Sequence, residues 1–170
     1  MITPELEEFL KQKGDRKIKN INVARRPLKS AVVQKLGPKL VKMPRDEPIW
    51  HMATEFELDD GDKFIIGKGT TIHLDRALHE YTDRKPVDIG DRELTLRQYI
   101  EKGRIAHERA NRPYHKYNLS CSSCQDFTLL HLRGNQLGAD VDFVHQRADR
   151  IIPKWLQKVE DIRGKIASVS

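Results

Sequence analysis

The feature that most restricts the fold is the alternating run from Ile49 to Leu58, closed by Asp59-Asp60-Gly61-Asp62 and followed at once by Lys63-Phe64-Ile65-Ile66-Gly67. Side chains alternate across a strand, so Ile49, His51, Ala53, Glu55 and Glu57 share one face and Trp50, Met52, Thr54, Phe56 and Leu58 the other. The second, more apolar face is expected to lie on the core, and His51 is expected on the more polar one. An Asp-Gly pair between two such runs is a hairpin signal, and a third strand is expected over Thr70 to Leu74. The chain is therefore expected to build an antiparallel sheet.

Helices are marked by their ends. Thr3-Pro4 caps a short helix with Leu6, Phe9 and Leu10 on one stripe and Gly14 at its stop. Ile18 to Val23 alternates imperfectly before Pro27 and reads as an edge strand. Ser30 opens a short helix to Leu36, broken by Gly37-Pro38, and Met43 to Pro48 reads as a linker. Arg76 to Arg92, polar and carrying Pro86 and Gly90, reads as mostly irregular. Thr95 caps a helix with Leu96, Tyr99 and Ile100 inward, which Gly103 weakens. Val141, Val144, His145 and Ala148 pattern one late helix. Trp155, Val159, Ile162 and Ile166 pattern a terminal one from Lys154 to Ala167, restarted at Pro153.

Of the 170 residues, 38% are hydrophobic and 33% charged, enough for one packed domain. Residues 1 to 45 hold 12 Lys or Arg against 4 acids, and the remainder 19 against 21. The excess charge is thus N-terminal, and the expected organisation is a basic arm over 1–45 with short helices and a domain over 46–170, forming one globular unit. Such an arm suits an anionic membrane or an acidic partner; its lack of interleaved aromatics argues against nucleic acid. No run of 18 apolar residues occurs and the N-terminus lacks the regions of a signal peptide, so a soluble, cytoplasmic protein is expected.

Chemistry concentrates in Tyr117-Asn118-Leu119-Ser120-Cys121-Ser122-Ser123-Cys124-Gln125-Asp126-Phe127. The serines are good N-caps, and Gln125 to Leu132 reads as a helix closed by Gly134 and Asn135, which puts Cys124 in the first turn. Unpaired N–H groups and the helix dipole there favour a thiolate below the ordinary thiol pKa of about 8.5 and could bind an oxyanion. Three chemistries follow for Cys124. It could pair with His51 as nucleophile and base. It could join Cys121, His115 and His131 in a structural zinc site, or form a redox pair with Cys121. Incidental buried thiols are the remaining reading.

Tyr117-Asn118-Leu119 with Cys124-Gln125-Asp126-Phe127 running into Leu129-Leu130 resembles the cysteine motif of the circularly permuted papain-like cysteine hydrolases. That group includes lecithin:retinol acyltransferase and the desumoylating isopeptidases. Trp50-His51-Met52-Ala53, followed by the Gly61 hairpin, is similar to their histidine half. The resemblance implies an α+β fold, a small antiparallel sheet of three to five strands with the nucleophile helix packed on it and extra helices at both ends. It also implies Cys124 as nucleophile and His51 as general base of a Cys-His dyad acting by acyl transfer through a thioester, with no cofactor and no metal. The expected substrate is a peptide or a ubiquitin-like protein conjugate. A lipid acyltransferase or phospholipase of the same fold, or an inactive binding module, are the alternatives. Ser123 stands where the family often has Asn. His73 and Thr71 are the candidates by position for orienting the histidine, and Gln125 for lining the cleft.

Overall fold

Gly61 takes a φ of 84°, which a side chain would resist, and the turn around it is closed by the Leu58 N–H on the Asp62 carbonyl at 3.0 Å. The protein is described from a computed structural model covering residues 1–27, 50–116 and 123–145. On either side of the turn run β2 (Trp50–Leu58) and β3 (Lys63–Lys68), with β4 (Ile72–Asp75) beside β3. With β1 (Ile18–Pro27) and β5 (Asp83–Val87) they form a five-stranded sheet, wholly antiparallel, in the order β4-β3-β2-β1-β5. The expected α+β class and antiparallel sheet are met.

Helix α1 (Pro4–Lys13) starts where the Thr3 Oγ1 accepts the Leu6 N–H, and α2 (Leu96–Arg109) starts at a reciprocal box between Thr95 and Gln98. Helices α3 (Cys124–Gly134) and α4 (Val141–Val144) complete the described chain. α1, α2 and α3 lie on one face of the sheet. Ile21, Val23, Met52, Phe56, Phe64, Ile66 and Ile72 from the strands meet Leu6, Phe9, Leu96, Tyr99, Phe127 and Leu132 from the helices in one buried core. Each such side chain contributes roughly 1.5–3 kcal/mol, so this face holds the domain together. Among the described residues no helix is long and apolar enough to cross a membrane.

α2 and α3 approach closely because glycines stand at the contact. A Cβ on Gly134 would lie 2.5 Å from the Lys102 carbonyl oxygen, and one on Gly103 only 1.9 Å from the His131 ring. The contact is locked by Asn135, whose Nδ2 donates to the Tyr99 oxygen at 2.9 Å and to the His131 oxygen at 2.8 Å. Gly103 is therefore a packing requirement rather than a weak point.

The opposite face carries a second, smaller core of Ala24, Ala53, Ile65 and Tyr81, supported by Leu78 in a short 3₁₀ turn. Two expectations change here. β1 is an interior strand, paired with β2 and β5, and not an edge strand, so residues 18–27 are built into the sheet. Asp83–Val87, read as irregular, is a strand at the edge of the described sheet; Pro86 is tolerated there because, among the described residues, only the side toward β1 is paired. The predicted helix from Ser30 to Leu36, the linker over 43–48 and the terminal helix from Lys154 to Ala167 lie outside the described residues, as do residues 117–122.

Candidate functional site

The start of α3 is built as the sequence indicates. Ser123 caps it with its Oγ accepting the Asp126 N–H at 3.2 Å, while the Asp126 carboxylate takes the Ser123 N–H at 2.9 Å and its hydroxyl at 2.8 Å. Burial works against ionising Asp126, but hydrogen bonds from His145 and Ser123 together hold it down at about 2. The His145 Nε2 stands 3.5 Å from its Oδ1, tying the segment after α4 to the head of α3.

Cys124 is the first residue of that helix and is 5% exposed. Backbone N–H groups of Met52, Gln125 and Cys124 itself act to favour the charged form of the sulfur. Burial outweighs them and pushes the thiol above its ordinary value. The expectation of a lowered pKa is thereby reversed: desolvation of a sulfur inside the core exceeds what the helix end supplies, so the thiol is protonated at neutral pH.

His51 is fully buried, so it does not sit on a solvated strand face as expected. The covering residues come from the turn before β5 and from β4: Tyr81 lies 6.2 Å away between ring centroids and His73 6.5 Å. Both imidazoles border Gly67, where a Cβ would meet the His51 Nε2 at 3.4 Å and the His73 Nε2 at 3.5 Å. Burial above all, then the positive Arg26 and the neighbouring His73, lower the His51 pKa to about 3. Neither of its ring nitrogens has a hydrogen-bond partner among the described residues. A buried imidazole left in that state is costly, and such groups call for an explanation.

The backbones of the two expected dyad members are held together, but their side chains are not. The Gln125 Nε2 donates to the Trp50 carbonyl at 3.2 Å, and Met52 and Cys124 belong to the same core. His51 lies between Trp50 and Met52, so its backbone adjoins the head of α3. Its ring leaves the sheet on the face of Ala53, whereas Cys124 packs with Met52 on the other. No hydrogen bond joins the His51 ring to the sulfur. Gln125, expected to line the cleft, is buried at 8% exposure and acts as the strut between α3 and β2. His73 and Thr71 hold each other, the His73 Nδ1–H donating to the Thr71 carbonyl at 3.2 Å, and they make no bond to His51.

The zinc alternative loses one ligand. The His131 Nδ1–H donates to the Phe127 carbonyl at 2.9 Å and its Nε2 accepts from the Tyr114 hydroxyl at 3.3 Å, so both nitrogens are committed. Cys121 lies outside the described residues. Sequence reading missed Lys68, which is 1% exposed on the helix side, with its Nζ on the Pro113 carbonyl at 3.1 Å and 5.8 Å from the Phe127 ring. The signal was its register: two residues after Ile66, on the core-facing set of β3. Comparison with known proteins finds no matching family model, curated protein or solved structure.

Proposed function

We propose that the chain is a cysteine-dependent hydrolase working by acyl transfer, with Cys124 as nucleophile and a peptide or ubiquitin-like conjugate as substrate. The observation that carries this reading is the place of Cys124 as the first residue of α3, where the unpaired N–H groups of the first turn and the helix dipole favour an anion. The same donors suit the oxyanion of a tetrahedral intermediate. The thiolate attacks the substrate carbonyl carbon and forms the C–S bond, the leaving group departs with a proton, and water then cleaves the thioester and restores the thiol. His51, neutral and with ring nitrogens that have no hydrogen-bond partner among the described residues, is the base in this proposal. To take the thiol proton its ring must leave the pocket beside Tyr81 and turn around the end of β2, so the arrangement described above is a resting one.

Incubation with an aminomethylcoumarin conjugate of a ubiquitin-like C-terminus and with a short-chain phospholipid, read by product release and by intact mass, tests the proposal. An acyl adduct on Cys124 and turnover lost in both Cys124→Ser and His51→Ala is the expected result; turnover of the phospholipid alone would move the substrate class to lipid. A catalytically inactive binding module is the competing reading, and it draws on the buried, protonated thiol with no imidazole bonded to it. Absence of adduct and of turnover with both substrates would establish that reading instead.

A further inference from the structure

Between the second half of α2 and the end of α3 lies an open groove of about 740 Å³, lined by Arg92, Lys102, Arg109 and Arg133 and by no carboxylate. None of these four forms an ion pair among the described residues, although neighbouring cations do: Arg97 with Asp15 and Arg104 with Glu101 and Glu108 on the same helix α2. Arg92 is oriented by its donation to the Asn135 carbonyl at 2.6 Å and keeps its remaining N–H groups. Two helix ends face this region, and each supplies about half a negative charge. That offsets roughly one of the four cations, leaving about three positive charges unmatched.

The segments outside the described residues are themselves net basic. Residues 28–49 hold five cations against two carboxylates, residues 146–170 six against three, and residues 117–122 none of either. The described residues taken together are neutral, with 20 of each sign, so the groove is a segregation of charge and not a reflection of a basic protein.

We infer that this groove binds an acidic peptide segment of a partner protein. Three arginines spread along a cleft match successive carboxylates, each guanidinium fork taking one in bidentate fashion. The floor, of Ile105, Ala106, Ala110 and Gly134, is small and apolar, which suits the aliphatic stems and backbone of a peptide. No lining residue is aromatic, so single-stranded nucleic acid finds no stacking platform. The concave shape opposes a membrane surface, which is met by protruding apolar side chains. The inference does not depend on Cys124 being a nucleophile.

The test is fluorescence polarisation of a short fluorescein-labelled peptide of glutamates and leucines against the full-length chain, with oligothymidine and phosphatidylserine vesicles in parallel. Saturable binding of the peptide is expected, weakened about tenfold or more by Arg109→Glu with Arg133→Glu, and falling with added salt. Lys11→Glu, on α1, should leave it within about twofold, a change of under half a kcal/mol. Should the double reversal fail to fold by circular dichroism, Arg109→Ala and Arg133→Ala replace it with the same expected direction. No binding by the wild type, equal loss in Lys11→Glu, or tighter binding of oligothymidine or vesicles would overturn the inference.

Discussion

Gly103→Ala isolates a contest between local and tertiary forces. Judged on helix propensity alone, alanine in the middle of α2 should stabilise by about 0.5–1 kcal/mol. The structure reverses the sign. The new Cβ would sit 1.9 Å from the His131 Cδ2 and 2.4 Å from Cγ and Nε2, against at least 3.4 Å for ordinary contact, so some group must retreat by about 1.5 Å. The ring has nowhere to go. His131 is 1% exposed, bonded at both nitrogens, and packed against Phe127 at 4.1 Å, His107 at 5.3 Å and Tyr99 at 5.6 Å between centroids. Overpacking costs about 1–3 kcal/mol and each hydrogen bond lost about 1, so a net destabilisation of about 2–4 kcal/mol remains after the propensity gain. With an m-value of about 2 kcal/mol/M, the urea midpoint should fall by about 1–2 M. Gly138→Ala, which meets nothing within 4 Å, is the control and should shift the midpoint little. A Gly103→Ala protein as stable as the wild type would refute the argument that glycine is required by helix contact.

Asn135→Ala removes two buried hydrogen bonds, one crossing from the end of α3 to α2 and one closing α3 itself, and should cost about 2 kcal/mol by urea titration followed by circular dichroism; a loss below half of that would mean water replaces the amide. Stability should also fall with acid. His51 and His131 have folded pKa values near 3, below an unfolded value of about 6.5, so the unfolded chain binds their protons first. Their contribution is present above pH 6.5 and is lost as pH drops toward 3, at about 1.4 kcal/mol per pH unit for each; His51→Gln should flatten that slope, and a flat wild-type profile between pH 6.5 and 4.5 would contradict the burial. Because burial raises the Cys124 thiol, iodoacetamide labelling of Cys124 in the native protein should be slow at pH 7 and climb only at alkaline pH, measured by mass spectrometry against an unfolded control. Fast labelling at neutral pH would instead fit the thiolate that the helix position alone suggests.

What could be read from the chain follows the range of the force involved. The caps at Thr3, Thr95 and Ser123 and the turn at Gly61 act within four residues, and all four stand as expected. β5 was hidden because it has no periodicity of its own; its pairing with β1, from Ile21 opposite Val87 to Arg25 opposite Asp83, is a tertiary fact. Pro27 suggested an edge, but it closes β1 at the very end and leaves the interior of the strand free to pair on both sides. At the candidate site, the place of Cys124 on its helix was legible and its ionisation was not, since a helix end is local and desolvation is imposed by Met52 and the surrounding core. The burial of His51 was illegible for the same reason: the Tyr81 that covers it comes from thirty residues further on and lies on no predicted element.

The interior position of β1 also bears on how the chain must assemble. Its partners arrive late in synthesis: Ile18 waits for Leu58, and Ile21 for Val87. The β2–β3 hairpin closes over a short turn and on its own sequence can form within microseconds, so it is the natural template on which the older strand docks. Until then β1 offers two open edges and the apolar Ile18, Ile21 and Val23 to any neighbour, an exposure that invites edge-to-edge association. The loops that must close are long, which slows the search even though their entropic cost grows only logarithmically. A nascent chain stalled before Val87 would present a four-stranded sheet with β1 unpaired on one side, and this is the species that a holding chaperone would be expected to capture.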